Sequence, residues 1–286
     1  MKTKAVLIDG HNFLFRGFYG VPTQAKYTDG TQINAVYGFF SLLKAVIKKV
    51  DPKYLIVVFD SETSSDSKKL IKPEYKANRL VQNNTIFDQL LLIKRCLDII
   101  GIRWVEDESN EADDIVGTFS EKFSKKGVEV FICSNDHDFF QLVHGGVCVL
   151  RGFHGELTVH DHPFIFQKFG IKPEQYVDYL ALTGDATDNI RGVKGIGKKR
   201  AADILSVHQS ITQMYKSFNL LSTSLQKKLY GQENELLERK EFLKINNKLE
   251  LENVFTFTKY TIQKSKIPEK MGEFLTIHWD RICIKQ

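Results

Sequence analysis

The chain is punctuated by short apolar runs that each end on an acid. Lys4–Asp9 reads KAVLID and Tyr54–Asp60 reads YLIVVFD. Val128–Cys133 is a third such run, followed by Ser134 and then by Asp136 and Asp138. Stretches with helical periodicity lie between them. In Ile33–Val50, the residues Val36, Phe39, Phe40, Leu43 and Ile47 fall on one face. Ile86–Ile100 is amphipathic and meets Gly101, a C-cap residue type, and Glu111–Lys126 meets Gly127 in the same way. Arg103–Val105 reads as a further short strand. Strand and helix alternating in this order predict an α/β fold with a mostly parallel central sheet flanked by helices. The carboxyl ends of the strands in such a sheet open into one crevice. After about residue 170 the strand signal fades and helices dominate.

That crevice is expected to be acidic. Asp9, Asp60, Glu111, Asp113, Asp114, Asp136, Asp138, Asp185 and Asp188 bring nine carboxylates to it. Two unit charges about 4 Å apart interact by roughly 4 kcal/mol at an effective dielectric near 20, so the cluster calls for divalent cations. Oxygen-only ligands favour Mg²⁺ or Mn²⁺ over zinc, which points to metal-dependent phosphate chemistry. Glu-Ala-Asp-Asp at 111–114 opens a helix, where carboxylates suit the positive end of the dipole. Glu111 and Asp114 share a face there, with Asp113 to one side; the same string also reads as plain helix capping. In Ser-Asn-Asp-His-Asp at 134–138, Asp136 and Asp138 can face one ion from an extended turn, and an ordinary Asx-rich turn has the same composition. His137 is read as a substrate-side or solvent residue, since hard cations prefer oxygen.

The 286 residues carry a net charge of +5, so the positive charge must lie away from the acids. That fits a polyanionic partner, and it fits a generally basic soluble protein as well. The four cysteines, Cys96, Cys133, Cys148 and Cys283, form no CxxC pair. They are expected to be reduced thiols of a cytoplasmic protein. The run Ala5–Ile8 is too short for a signal peptide, and no run reaches the roughly 20 apolar residues of a membrane span.

Two basic stretches are candidates for the polyanion. Residues 61–84 are polar and too long for an ordinary connection, with Lys68, Lys69, Lys72, Lys76 and Arg79 following the acid at 60. Lys76 and Arg79 would share a helical face, and a solvated charged loop is the plainer reading. Gly-Val-Lys-Gly-Ile-Gly-Lys-Lys-Arg at 192–200 is a helix–hairpin–helix signature. Its glycines admit a phosphate close to the backbone, and a helix N-terminus then offers free N–H groups. Gly192, Val193, Gly195, Ile196, Gly197, Lys198, Lys199 and Arg200, with Lys72, are the expected DNA-binding residues. A tight turn between packed helices is the alternative.

The strings IDGHNFLFR (8–16), VVFD (57–60), PEYKANR (73–79), EADD (111–114), SNDHDFFQL (134–142) and YLALTGDATDNIRGVKGIGKKRA (179–201) appear in order over almost the whole chain. Together they resemble the 5′–3′ exonuclease and flap endonuclease family, above all the nuclease domain at the start of bacterial DNA polymerase I. The resemblance implies an α/β nuclease lobe over residues 1–170, with a basic arch at 61–84. It implies a helical lobe over 171–286 that holds the hairpin motif at 185–206. By resemblance, Asp60, Glu111, Asp113 and Asp136 hold a first metal, with Asp9 acting through its waters. Asp138, Asp185 and Asp188 belong to a second metal, Asp136 lies close to both, and Asp114 supports them. Lys76, Arg79 and Arg16 join Asp9 and Asp113 as catalytic residues, the first two meeting the scissile phosphate. A K⁺ ion on backbone carbonyls at the hairpin is implied as well.

The expected activity is hydrolysis of DNA with 5′ ends, flaps or branches, with RNA primers or RNA–DNA hybrids as further substrates. A monomer that works beside a separate DNA polymerase is expected, since the sequence stops at Gln286. Ser67, Lys68 and Lys69 stand where the polymerase relatives begin the arch with Phe-Arg, and Leu80, Val81, Gln82 and Asn83 replace a Pro-x-Pro. Thr187 and His137 replace the more usual Ser and Lys. The arch differences bear on the balance between threading flaps and trimming ends. Two other classes share parts of the pattern: a non-catalytic DNA-structure binder and a PIN-like endoribonuclease.

Overall fold

Strand β1 (Lys4–Asp9) is buried on both faces, which is why it reads as an unbroken apolar run. Its side chains alternate between two cores: Ala5 and Leu7 enter one, Val6 and Ile8 the other. The computed structural model of the chain describes residues 2–61, 63, 64, 70, 84–153, 155–250 and 257–283. The remaining strands are β2 (Tyr54–Val58), β3 (Arg103–Val105), β4 (Glu129–Cys133), β5 (Val147–Phe153) and β6 (Glu156–His160). They form a six-stranded sheet in the order β3-β2-β1-β4-β5-β6. All pairs are parallel except β5 with β6. The order reverses direction between β1 and β4, and crevices at such switch points hold ligands in open α/β sheets.

Helices α1 (Gly10–Gly20), α2 (Asn34–Val50) and α3 (Asn84–Ile100) cover one face. Helix α4 (Ala112–Lys125) covers the other, where α5 (His162–Phe169) and α6 (Tyr176–Thr183) join it. A two-stranded turn follows, β7 (Gly184–Asp185) with β8 (Ile190–Arg191). Then come α7 (Lys198–His208), α8 (Ile211–Lys216), α9 (Thr223–Leu229), α10 (Glu233–Leu243) and α11 (Met271–Ile282). Buried Arg239 ties α10 to α6 by donating to the Ala181 carbonyl at 2.8 Å. Helix α11 returns to the sheet's first face, where Phe274, Leu275, Trp279 and Ile282 join the core of α1–α3. Trp279 stacks on Tyr27 at 3.7 Å and donates to Asp29 at 3.0 Å. Among the described residues no helix is long and apolar enough to cross a membrane.

The structure adjusts several expected boundaries. The run Tyr54–Asp60 stops pairing with β1 at Val58, and Phe59 reaches the Val105 carbonyl by its N–H alone. Glu111 stands outside α4 as its N-cap residue, and α3 begins at Asn84. Gly101 and Gly127 both have positive φ, 74° and 73°, as their C-cap reading requires. Strand β5 corresponds to the apolar, strand-like run around Cys148, while β6 has no counterpart in the sequence reading. Arg151 and Gly152 interrupt the apolar run of β5, and β6 is a largely exposed edge strand.

Candidate metal centre and nucleic-acid interface

Asp9 ends β1 and caps α1: its Oδ1 accepts the Asn12 N–H at 2.9 Å. Its Oδ2 accepts the Ser134 hydroxyl at 2.7 Å, across from the end of β4. Burial pushes the Asp9 carboxyl up to about 7, against the pull of those two bonds, and the charges of Asp60 and Asp136 push the same way. Asp9, Asp60 and Asp136 therefore meet at the carboxyl ends of β1, β2 and β4, astride the switch point.

Asp60 also reaches across the chain. Its Oδ1 accepts the Ala112 N–H at 2.8 Å, which caps α4 where Glu111's own side chain makes no cap bond. This bond places Asp60 at the positive end of α4, beside buried Glu111 and first-turn Asp113. Asp114 is differently engaged: its Oδ1 accepts the Asn246 N–H at 2.7 Å and anchors the segment after α10. His11 Nδ1 accepts the Asp60 N–H at 3.1 Å.

The loop after β4 is built by its own polar atoms. Ser134 Oγ accepts the Asp136 N–H at 3.0 Å while donating to Asp9, and Asp136 Oδ1 accepts the Asp138 N–H at 2.9 Å. Asn135 forms a reciprocal pair with the Gly152 backbone, at 3.0 and 3.1 Å. Buried Arg151 places one guanidinium nitrogen 2.7 Å from His137 Nε2 and donates the other to the Asn135 carbonyl at 2.6 Å. Desolvation, with the Arg151 and Lys168 charges, pushes the His137 imidazole down to about 4. Ser134, Asn12, Asn135 and Arg151 were not among the expected site residues. A lone arginine inside the apolar run VCVLRGF was the one available signal.

Asp185 on β7 faces the same loop. It lines a cleft of about 720 Å³ together with Asp136, His137, Tyr176, Lys168 and Lys198. Burial, then the charges of Asp138, Asp185 and Asp136, push the Tyr176 hydroxyl far up, so these three carboxylates share its neighbourhood. Asp185 Oδ1 accepts the Thr187 N–H at 2.7 Å, and Asp188 is buried in the turn that follows. Asp136 is thus the acid common to two neighbourhoods, that of Asp9 with Asp60 and that of Tyr176 with Asp138 and Asp185.

Among the described residues no three acidic, histidine or cysteine side chains close on one point tightly enough to hold an ion as they stand. The donor chemistry nonetheless suits a hard divalent cation, because the carboxylates around Asp9, Asp60 and Asp136 are all oxygen. The lifted Asp9 carboxyl reflects burial together with the neighbouring charges of Asp60 and Asp136, both of which disfavour a further negative charge there.

Arg16 projects from α1 toward the end of β5. A Cβ on Gly152 would lie 2.4 Å from its guanidinium, so only glycine leaves room for it there. In the hairpin the side chains of Val193 and Ile196 are buried, so these residues present only backbone outward. Gly195 has φ +80° and Gly197 begins α7 without a side-chain cap. Lys198, Lys199 and Arg200 are exposed, and Arg200 donates to the Gly195 carbonyl. Gly184 and Gly192 touch so closely that a Cβ on Gly192 would meet the Thr183 carbonyl carbon at 2.2 Å. Lys68, Lys69, Lys72, Lys76 and Arg79 lie outside the described residues.

Residues 4–170 match the family model for the 5′-3′ exonuclease N-terminal resolvase-like domain, and residues 171–266 match that for the 5′-3′ exonuclease C-terminal SAM fold. A 5′-3′ exonuclease of Aquifex aeolicus is 38% identical over 218 residues, covering 76% of this chain and 74% of that protein. The thermostable DNA polymerase I of Thermus thermophilus is 36% identical over 241 residues, covering 84% of this chain. The chain spans only 28% of that polymerase. Among solved structures, the T5 D15 protein co-crystallised with metal ions superposes with a TM-score of 0.70 at 22% identity, covering 85% of this chain and 89% of that one. The bacteriophage T5 flap endonuclease in a complex with DNA and metal ions gives 0.65 at 21% identity, covering 85% and 89%. At these identities the structural likeness is one of fold.

Proposed function

This chain belongs to the 5′-3′ exonuclease family, and from that premise we propose that it is a metal-dependent nuclease cutting DNA with 5′ ends, flaps or branches. The observation that carries the reading is the meeting of Asp9, Asp60 and Asp136 at the switch point, where burial, with the charges of the other two, lifts the Asp9 carboxyl. Asp60, Glu111, Asp113 and Asp136 would hold one divalent cation, Mg²⁺ or Mn²⁺. Asp138, Asp185 and Asp188 would hold a second, with Asp136 serving both and Asp9 acting through water. Two such ions, when bound, supply activation of a water and charge neutralisation at the departing 3′ oxygen.

The protein's own part is placement. Asp60 binds α4 to the end of β2 and Ser134 binds the β4 loop to the end of β1, so the acids would approach the phosphate from fixed directions. Lys76 and Arg79 would offset charge growing on the phosphoryl oxygens, and Arg16 would add a contact beside them. The hairpin offers exposed Lys198, Lys199 and Arg200 with the uncapped start of α7 to a duplex backbone. A K⁺ ion at its carbonyls would share the Gly195 oxygen with Arg200. We assign residues 1–170 to the acidic pocket and arch, and 171–286 to the duplex grip, from which Asp185 and Asp188 reach the pocket, with α11 strapped back across the first part. RNA-containing 5′ strands, a separate polymerase partner, a monomeric state and a cytoplasmic setting, which the free thiols suit, complete the reading.

Asp136→Asn tests it. The amide keeps the acceptor for the Asp138 N–H and removes the charge. Cleavage of a 5′-flap duplex in Mg²⁺ should fall by about 10²-fold or more, while binding in a gel shift persists. Undiminished cleavage would remove Asp136 from the centre of the mechanism.

A further inference from the structure

The cleft beside the β4 loop has a wall that the acids do not explain. Lys168, near the end of α5, and Lys198, the first residue of α7, line it opposite Asp136 and Asp185. The Lys168 ammonium lies 5.5 and 5.4 Å from the ring centroids of Phe164 and Phe169, contacts that fix where its charge sits. Among the described residues neither lysine has a hydrogen-bonded or ion-paired partner. Arg151 stands behind them in β5, tied to the loop through His137 and Asn135. Burial, Arg151 and Lys198 all lower the hold of Lys168 on its proton, so three cations crowd one wall. Lys168 and Lys198 thus present to the cleft positive charge that no ion pair among the described residues takes up, which an anion bound there would use.

We propose that Lys168, with Lys198, forms a phosphate subsite in this cleft that holds a backbone phosphate of the nucleic-acid strand beside the acidic centre. The proposal rests on the nuclease reading. It adds a grip from α5, outside the hairpin and the arch, on a phosphate next to the one that is cut. Lys168 lies on an exposed part of a short helix, so its replacement leaves the core intact.

The test is the salt dependence of binding to a 5′-flap DNA duplex with divalent cations chelated, for wild type, Lys168→Ala and Lys168→Arg. Lys168→Ala should bind more weakly, with the slope of log K against log salt shallower by about 0.7–0.9, one phosphate contact. Lys168→Arg should restore the slope. A wild type that binds with a steep slope unchanged in Lys168→Ala would overturn the subsite alone. A wild type without salt-dependent binding would overturn the subsite together with the nuclease reading.

Discussion

At the scale of single residues, Asp9 concentrates the electrostatics of the site. Its folded carboxyl titrates near 7, above the ordinary value of 3.8. The folded state therefore binds the extra proton, and stability without cations falls as pH rises from about 4 to about 7. Asp9→Asn keeps an acceptor for Asn12 and a polar partner for Ser134 while removing the charge. In chelator at pH 8 the variant should be more stable than wild type by up to about 4 kcal/mol, and the gap should close at pH 4.5. Urea unfolding at both pH values measures it; an equal gap at both would deny that charge is the cause. Asp9, Asp60 and Asp136 could be read from sequence because each follows a strand that both cores bury. Ser134 and Asn12 could not, because a hydroxyl or amide carries no period and the partner of its side chain lies more than a hundred residues away.

Between elements, geometry depends on close approaches that composition hides. Helices α1 and α2 meet at Gly17 and Gly38, where a Cβ on Gly38 would lie 2.2 Å from the Gly17 Cα. No side chain fits that gap, so Gly38→Ala must push α1 away, and Asp9 is the N-cap of α1. The variant should lose about 3 kcal/mol of stability, measured as a lower urea midpoint; a midpoint within error of wild type would show that the helices can slide apart freely. Strands β1, β2 and β4 were legible because burial on both faces makes them continuous apolar runs. Strand β5 was legible only as the apolar run around Cys148, because Arg151, which ties down the loop after β4, interrupts its pattern. The trans cap from Asp60 to α4 was invisible, although EADD was plain, because the sequence suggests a local cap and the fold supplies a distant one.

For the whole molecule, the sheet order explains why acids so far apart in sequence can act together. Asp9, Asp60 and Asp136 sit on three neighbouring strands, and α6 with the β7–β8 turn brings Asp185 to the same loop. The chain nonetheless carries a net charge of +5, to which the exposed Lys198, Lys199 and Arg200 of the hairpin contribute. The overall α/β plan and the change to helices after the sheet were readable from alternation alone. The return of α11 to the first core was not, because its apolar face fits a helical lobe equally well. The central claim is that these distant carboxylates form one cation site with Asp136 at its middle. Calorimetric titration of Mn²⁺ into wild type and Asp136→Asn tests it most directly. Two ions should bind per chain, with both affinities weakened in the variant; no uptake by wild type, or uptake indifferent to Asp136, would contradict it.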